Sequence, residues 1–372
     1  MDVNESAFAT LVAFSVLLCK LSVPCRFAVS QQNCANQKSK EIAMENSLVT
    51  VFGGSGFVGR YLVRQLARRG FRVRIAVRDS QKSMFLKPAG DLGQITSIPA
   101  SVTDKESVIR AIAGADWVVN LVGILFERRH RTFQEIHVDG ARKVAEAANN
   151  TGTKRLVQIS ALGAHRQSGS LYSRSKAQGE IDVQKAFPGA TIIRPSIVFG
   201  PEDEFFNLFG TLAKVSPILP YFKKNTSQNQ SSGGPRFQPV YVRDLAMAIV
   251  TTLTNDGHEG KVYEIGGPRI YDMCEIMNIV NRETGRNRLV LGFPMWLAKI
   301  QATILQFMPK PLLTPDQVKL LEVDNVLTGN HPNLEDLGIT PTAAEIILPT
   351  YLKRHRPLQQ NKRLRLEGPD KT

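Results

Sequence analysis

Tyr172 and Lys176 are four residues apart, so on a helix both side chains would lie on one face. In hydride-transfer chemistry a lysine ammonium lowers the pKa of a neighbouring phenol and holds the nicotinamide ribose, and the tyrosine then acts as general acid or base. Ser160 ends a predicted strand twelve residues earlier and would orient a substrate carbonyl. Together the three residues predict a site for NAD(P)-dependent reduction, or a site that keeps them only to hold the cofactor.

A glycine-rich turn lies where a dinucleotide site would need it. The apolar run Leu48–Phe52 predicts a buried strand, and Gly53, Gly56 and Gly59 follow it directly. A helical pattern then continues as far as Gly70. Glycines in such a turn let backbone N–H groups approach a pyrophosphate at the start of the helix. A glycine triplet between a strand and a helix therefore indicates a dinucleotide-binding βαβ unit.

The end of the second predicted strand, Phe71–Val77, bears on the choice between NADPH and NADH. An acid at this position binds the ribose hydroxyls of NADH, whereas an arginine binds the 2′-phosphate of NADPH. Arg78 comes first here and Arg60 could join it, which favours NADPH, while Asp79 keeps NADH open as the less favoured cofactor.

Strands and helices continue to alternate along the chain. Apolar runs predict the later strands and periodic segments predict the helices between them: Gln94–Ile98, Ser107–Ala113, Trp117–Val122, Phe133–Asn149, Arg155–Ser160 and Ala190–Ile193. This order is typical of an α/β protein with a doubly wound, parallel Rossmann sheet. We predict that a smaller C-terminal α/β lobe follows the sheet.

These motifs resemble the short-chain dehydrogenase/reductase superfamily in its extended or atypical branch. The glycine turn and the Tyr172–Lys176 pair carry the resemblance, together with Ile193–Gly200 and Pro239–Ala246. It covers residues 48 to about 270.

A narrower resemblance is to the Rossmann-type accessory subunits of respiratory complex I. It rests on segments in both halves of the chain: Gly53–Arg60, Asn120–Leu125, Ser160–Ala164, Pro201–Asn207, Leu313–Val318 and Asp324–Val326. The resemblance implies a tightly held NADPH with little or no turnover and a position on the peripheral arm near the membrane. It places cofactor contact on Gly53, Gly56, Phe57, Val58, Gly59, Arg78, Leu121, Val122, Gly123, Tyr172, Lys176 and Pro195. The main alternative is an independent NADP-dependent reductase or epimerase that uses Tyr172 as acid and base.

Residues 1–45 differ in character from the rest and form a predicted N-terminal extension. Their apolar run, Ala7–Leu18, is too short to span a bilayer comfortably, and the acids before it are unusual for a secretory signal. The extension is therefore either a targeting segment or a mis-start ahead of Met44. Residues 46–238 are predicted to form the Rossmann domain, 239–350 a C-terminal lobe that faces a partner or a membrane, and 351–372 a basic tail.

The charge balance and cysteine count restrict the partners. The formal net charge is +14, which favours anionic partners such as nucleic acid, acidic lipid or phosphorylated ligands and does not choose among them. No nucleic-acid motif is present, and no cysteine or histidine spacing suggests a metal site. Trp296–Met308 has amphipathic spacing, which suits either a packed helix or a helix at the bilayer interface. We expect a protein peripheral to the inner membrane, on the matrix side in a mitochondrion and on the cytoplasmic side in a bacterium, in contact with other complex I subunits.

Overall fold

The computed structural model describes residues 47–128, 131–223, 234–308 and 311–357. The predicted N-terminal extension, residues 224–233 and most of the basic tail lie outside these ranges.

A seven-stranded parallel sheet forms the centre of the fold. Its strands are β1 (Leu48–Phe52), β2 (Arg72–Val77), β3 (Ile95–Pro99), β4 (Trp117–Asn120), β5 (Arg155–Ile159), β6 (Thr191–Pro195) and β11 (Val262–Ile265). Their order across the sheet is β11-β6-β5-β4-β1-β2-β3. The order reverses beside β1, between β4 and β2, and ligands bind at such a switch point in open α/β sheets. The predicted doubly wound Rossmann fold is confirmed.

Helices connect these strands, as the parallel pairing requires. They are α1 (Phe57–Arg68), α2 (Lys105–Ile112), α3 (Gly140–Asn150), α4 (Leu171–Ala186), α5 (Phe205–Val215) and α6 (Val242–Thr254). A buried apolar cluster joins helices and sheet and includes Val108, Val144, Leu156, Val183 and Ile192. The core is continuous from β2 to β6, so the carboxyl ends of these strands are rigid points of attachment for a site.

Three of the predicted elements end or begin differently. The strand predicted as Trp117–Val122 ends at Asn120, because the Asn120 side chain accepts a hydrogen bond from Val122 N at 3.1 Å and turns the chain. The helix predicted as Phe133–Asn149 starts with a π-helical turn, Gln134–Asp139, before α3. The helix observed for the segment Trp296–Met308 ends three residues earlier, at Leu305. The remaining predicted elements differ from the structure by one or two residues at their ends.

The chain after α4 adds three small two-stranded pairs beside the main sheet. Their strands are β7 (Val198–Phe199), β8 (Ile218–Lys223), β9 (Arg236–Phe237), β10 (Val240–Tyr241), β12 (Tyr271–Asp272) and β13 (Leu289–Pro294). Four further α-helices follow among the described residues: α7 (Met273–Glu283), α8 (Met295–Leu305), α9 (Pro315–Leu321) and α10 (Ala344–Leu352). Because β11 belongs to the main sheet, the chain returns to that sheet after residue 239. The domain boundaries given above stay a prediction.

Helix α8 has the amphipathic spacing that the sequence predicts. Its small residues Ala298 and Ala302 are fully buried, whereas Trp296, Ile300 and Ile304 are more than half exposed. Among the described residues, no helix is both long and apolar enough to cross a bilayer.

Candidate nucleotide-binding site

The glycine turn between β1 and α1 is packed too tightly for side chains. Gly53 has a φ of +77°, which favours glycine, and a Cβ on Gly59 would lie 2.4 Å from the Gly53 carbonyl oxygen. Helix α1 begins at Phe57, and its N-cap residue, Gly56, supplies no side-chain cap. The first N–H groups of α1, those of Phe57, Val58 and Gly59, therefore suit an anionic ligand. This cradle of bare backbone fits the pyrophosphate of a dinucleotide.

An arginine, Arg78, follows β2 at the same edge of the sheet as the glycine turn. Arg78 is exposed, and no ion pair to Arg78 is found among the described residues. The Asp79 carboxylate instead accepts a hydrogen bond from Gln81 N at 3.1 Å and lies 3.7 Å from Lys82 Nζ. Arg60, which the sequence suggested as a second cation here, lies 3.5 Å from Glu202 and over the Phe85 ring. Arg78 is thus the available charge at the strand end.

The segment after β4 connects the glycine turn to Lys176. Leu121 N donates to Phe52 O at 3.0 Å, and Leu121 and Val122 lie against the bare Cα of Gly53. A Cβ on Gly123 would lie 3.3 Å from Lys176 Nζ. Three of the residues predicted to contact the cofactor, Leu121, Val122 and Gly123, therefore run from the pyrophosphate cradle to the Tyr172–Lys176 helix.

Helix α4 carries Tyr172 and Lys176, as predicted. Lys176 is buried, and its Nζ donates to Ile159 O at 3.2 Å. Burial lowers the pKa of Lys176 to about 8, because charge is costly where water is excluded, and Glu180 partly opposes the shift. Burial also raises the pKa of Tyr172 to about 12. The expected lowering of the tyrosine pKa by the lysine is therefore not what the structure shows.

Ser160 does not join the tyrosine through a hydrogen bond. Its backbone N–H donates to Ile193 O at 2.8 Å, whereas its buried Oγ has no hydrogen-bond partner among the described residues. Pro195 ends β6, and its carbonyl accepts Leu162 N at 2.9 Å. The structure thus places Tyr172 and Lys176 on one helix with Gly123 next to Lys176. Ser160 and Pro195 lie at the ends of β5 and β6.

His137 is a site residue that sequence reasoning missed. Its Nε2 accepts a hydrogen bond from Ile124 N at 3.0 Å, and its Nδ1 is 2.9 Å from Ser175 Oγ, which donates to Tyr172 O. These partners require the proton on Nδ1, and burial lowers the pKa of His137 to about 2. The imidazole also meets the Tyr172 ring edge to face at 5.4 Å. His137 therefore connects the segment after β4 to α4, the helix that carries Tyr172 and Lys176.

The π-helical turn makes this placement possible. Its backbone approaches α4 so closely that a Cβ on Gly179 would lie 2.1 Å from His137 O. Single π-turns often mark functional sites. A glycine at position 179, facing a buried histidine, is the sequence signal that could have revealed the contact.

A second missed residue is Asp316, on α9. One oxygen of its carboxylate accepts Ser170 Oγ at 2.7 Å and Tyr172 N at 3.0 Å, and the other accepts Leu171 N at 2.6 Å. A carboxylate at a helix start satisfies its unpaired N–H groups and interacts favourably with the helix dipole. The C-terminal segment therefore caps the helix that carries Tyr172.

Asn325 makes a comparable connection near Pro195. Its Oδ1 accepts Ser196 Oγ at 2.6 Å and Ile197 N at 3.2 Å, and its Nδ2 donates to Leu162 O at 3.4 Å. The loops after β5 and β6 are thus held together by one amide side chain from the C-terminal part.

The chain matches the model of the NAD dependent epimerase/dehydratase family over residues 49–266, which includes the glycine turn, Tyr172, Lys176 and β11. The chain belongs to this family. A solved structure of Thermus thermophilus UDP-glucose 4-epimerase in complex with NAD resembles it with a TM-score of 0.60 and 19% identity. That likeness covers 84% of this chain and 99% of the epimerase and concerns the fold. Members of this family share a dinucleotide-binding fold, and the glycine turn described above is suited to the pyrophosphate of a dinucleotide.

More similar relatives lie within a narrower branch of the family. The chain is 33% identical to NADH dehydrogenase (ubiquinone) 1 alpha subcomplex subunit 9, mitochondrial, of Mus musculus, over 86% of this chain and 83% of the relative. It is 38% identical to the protein of the same name in Arabidopsis thaliana, over 79% and 74%. Ceramide reductase of Caulobacter vibrioides is 34% identical over 55% of this chain and 60% of that enzyme. The first two confirm the narrower resemblance predicted from the sequence.

Proposed function

We propose that this protein is an NADPH-binding accessory subunit of NADH:ubiquinone oxidoreductase, in which the nucleotide has a structural or assembly role. The observation that carries the proposal is the 33–38% identity to subunits of this name over most of the chain. It is supported by the C-terminal residues Asp316 and Asn325, which form hydrogen bonds with the start of α4 and with the loops after β5 and β6. Both belong to the segments on which the narrower resemblance rests.

The preference for NADPH rests on the end of β2. The Asp79 carboxylate is engaged by Gln81 N and Lys82, whereas Arg78 is exposed and has no ion-pair partner among the described residues. Arginine suits a phosphate monoester, because its fork of N–H donors binds two oxygens at once. Gly53, Gly56, Phe57, Val58 and Gly59 would hold the pyrophosphate.

A structural role for the nucleotide is supported by the state of the would-be catalytic groups. A general acid works best with a pKa near the operating pH, and the pKa of Tyr172 is far above it. The Ser160 hydroxyl is turned into the protein without a hydrogen bond among the described residues. Tyr172 and Lys176 then hold the nicotinamide ribose, and Pro195, at the end of β6, contacts the cofactor as well.

Partner contacts are proposed for α8. Trp296, Ile300 and Ile304 form an exposed apolar face, which suits another subunit of the complex or the interfacial region of an anionic bilayer. We place the protein peripherally on the inner membrane, on the matrix side in a mitochondrion or the cytoplasmic side in a bacterium.

The test is mild detergent extraction of source membranes, followed by native electrophoresis and mass spectrometry of the band with NADH dehydrogenase activity. We expect this chain in that band at stoichiometric amount. A chain that migrates alone would contradict the proposal.

The second candidate is an independent NADP-dependent reductase. Tyr172 and Lys176 are both present on α4, Lys176 lies next to Gly123, and one relative is a ceramide reductase. Consumption of NADPH with a carbonyl substrate by the purified chain, lost in Tyr172→Phe and retained in Tyr61→Phe, would favour this candidate. Tyr61 is a matched control because its hydroxyl donates to Glu202 at 2.7 Å, away from α4.

A further inference from the structure

His355 has a buried polar atom that no hydrogen bond satisfies. The residue ends the 3₁₀ turn Lys353–His355, which follows α10, and only 5% of it is exposed. Its Nε2 lies 3.2 Å from Asn207 Oδ1, whereas its Nδ1 has no partner among the described residues. Because buried polar atoms are nearly always hydrogen-bonded, an unsatisfied one is a place where a water molecule or an ion can bind.

Three cations lie around this imidazole, and they come from three segments of the chain. Arg286, in the turn after α7, donates its Nε to His355 O at 3.3 Å. Arg354 precedes His355 in the 3₁₀ turn, and its Nε is 3.4 Å from His355 Nε2. A Cβ on Gly210 of α5 would lie 2.9 Å from His355 Cδ2, and Lys214 is one turn further along the same helix face. Contacts and helix geometry therefore bring the three charges to one place.

The turn that carries Arg286 is held by the Asn281 side chain. Asn281 Nδ2 donates to Arg288 O at 2.7 Å, and Asn281 Oδ1 accepts Arg288 N at 3.2 Å. Arg288 Nε in turn donates to Ala213 O at 2.8 Å, beside Lys214. Arg286 and Lys214 therefore belong to one hydrogen-bonded junction between α5 and the end of α7.

The charges at this junction are not neutralised by carboxylates. No ion pair to Lys214, Arg286 or Arg354 is found within the described ranges. The nearest acid in sequence, Glu283, pairs instead with Arg282 at 2.8 Å. Arg286 uses its Nε on a backbone carbonyl, and its two Nη atoms make no hydrogen bond to any residue that the structure describes. The junction therefore combines excess positive charge with unused N–H donors.

The cations act on His355 itself. Burial lowers the pKa of His355, and the nearby positive charges add to the shift, which brings the value to about 4. These charges belong to Lys214, Arg354 and Arg286. An anion placed among them would offset their effect and favour the protonated imidazole. With both ring nitrogens protonated, Nε2 donates to Asn207 Oδ1 and Nδ1 is left to donate to the anion.

We propose that Lys214, Arg286 and His355 form a binding site for a phosphate group. The Nη atoms of Arg286 bind two phosphate oxygens at once, Lys214 supplies a point charge, and His355 Nδ1 supplies a further donor. Phosphate suits the site better than a carboxylate, because its oxygens accept from donors that approach from different sides. No residue of the site belongs to the glycine turn or to α4, so the proposal does not depend on the proposed function.

A phosphate group is offered both by a soluble phosphate ester and by an acidic lipid, and two assays separate these sources. Calorimetric titration of the purified full-length chain with inorganic phosphate and with glycerol 3-phosphate tests the soluble source. NADPH is present throughout, so that phosphate does not enter the nucleotide site. Flotation with phosphatidylcholine vesicles, with and without phosphatidic acid, tests the lipid source.

The variants are Arg286→Gln, Arg286→Lys and Lys214→Gln, and the matched control is Arg110→Gln. Arg110 is an exposed arginine of α2 for which no ion pair is found in the described part of the chain, so its replacement removes the same charge elsewhere. Lys214 is exposed as well, and Lys214→Gln should leave thermal stability unchanged.

We expect the wild type to bind a phosphate from at least one source. Arg286→Gln should weaken that binding by roughly 10- to 100-fold, since hydrogen bonds between charged groups are the stronger kind. Arg286→Lys should recover only part of the affinity, because an ammonium cannot bind two oxygens in the same way. Lys214→Gln should also weaken binding, whereas Arg110→Gln should bind like wild type.

Histidine NMR provides a readout that general charge attraction would not produce. A bound soluble phosphate should raise the pKa of His355 in the wild type and not in Arg286→Gln. A phosphate that binds and leaves the titration of His355 unchanged would lie elsewhere and would contradict the proposal.

The remaining outcomes also decide the matter. Flotation that requires phosphatidic acid and is lost in Arg286→Gln, without binding of the soluble phosphates, would assign the site to a lipid headgroup. Binding of the soluble phosphates without flotation would assign it to a soluble ester. If neither source binds, or if Arg286→Gln and Lys214→Gln both bind like wild type, the proposal is wrong.

Discussion

The carboxylate of Asp316 accepts the backbone N–H of Tyr172 at 3.0 Å, across 144 residues of sequence. The same carboxylate binds Leu171 N and the Ser170 hydroxyl, so it engages all three residues at the start of α4. The position of the Tyr172 ring is therefore determined partly by a helix from the far end of the chain. Asp316 thereby links the C-terminal part to the nucleotide-binding site.

Replacing Asp316 by Ala should destabilise the protein by about 2 kcal/mol, because the start of α4 would lose its charged cap. NADPH affinity should fall as well, and hydrogen exchange at residues 171–173 should accelerate. Asp316→Asn should be milder, because an amide oxygen still accepts hydrogen bonds. The matched control is Asp336→Ala, which removes an exposed carboxylate that caps Asn333 N at 2.8 Å. Unchanged exchange at residues 171–173 would show that Asp316 does not hold α4.

Lys176 should make stability rise with pH above neutrality. Its pKa is about 8 in the nucleotide-free fold, against 10.5 ordinarily, so between these values the unfolded chain binds more protons. Burying the ammonium costs about 3 kcal/mol below pH 8, and this cost disappears as the pH approaches 10.5. Over this interval we expect the unfolding free energy of wild type to increase relative to that of Lys176→Met. Lys185→Met, on the exposed face of the same helix, should track wild type throughout.

His137 should make the fold sensitive to acid. Because its pKa is about 2 in the fold and 6.5 ordinarily, its contribution to stability is present above pH 6.5 and declines as the pH falls. Between these two pKa values, one such group lowers the free energy of unfolding by about 1.4 kcal/mol for each pH unit of acidification. Urea unfolding at pH 7 and pH 5 should show that the unfolding free energy of His137→Asn falls by about 2 kcal/mol less than that of wild type between these values. His165→Asn, in an exposed loop, should behave like wild type, and equal losses in both variants would argue against a buried neutral imidazole.

Gly59→Ala should abolish nucleotide binding, because its methyl group would lie 2.4 Å from Gly53 O and displace the turn. Overpacking of this kind typically also costs about 1–3 kcal/mol in stability. Gly169→Ala is the matched control, since no atom lies within 4 Å of the added methyl group. Titration with NADPH and thermal unfolding of both variants provide the measurement. Retained NADPH affinity in Gly59→Ala would exclude the glycine turn as the pyrophosphate site.

The parts of the site that could be predicted from sequence are those with local causes. Gly53, Gly56 and Gly59 stand between an apolar strand and a periodic helix, and neighbours in the chain are enough to place them. The i, i+4 spacing of Tyr172 and Lys176 likewise specifies one helix face. The fold followed from the alternation of such local patterns.

The rest depends on contacts between distant segments. Asp316 belongs to a helix start, Thr314–Gln317, that already has its own capping box, so nothing local indicates that its carboxylate serves another helix. His137 looks like one polar residue in a predicted α-helix, and its role depends on a π-turn packed against Gly179. The pKa of Tyr172 was predicted in the wrong direction because the extent of burial is a property of the folded site, not of the spacing of Tyr172 and Lys176.

The hydrogen bonds of Asp316 and Asn325 also affect the time at which the site can form. A ribosome makes the glycine turn, Tyr172 and Lys176 well before it makes residues 316–325, and a protein imported amino terminus first would present them in the same order. The start of α4 and the loops after β5 and β6 lack these hydrogen bonds until residues 316–325 have been made. Bound nucleotide would therefore mark a chain that extends at least to residue 325, and a chain truncated before that point would lack this mark.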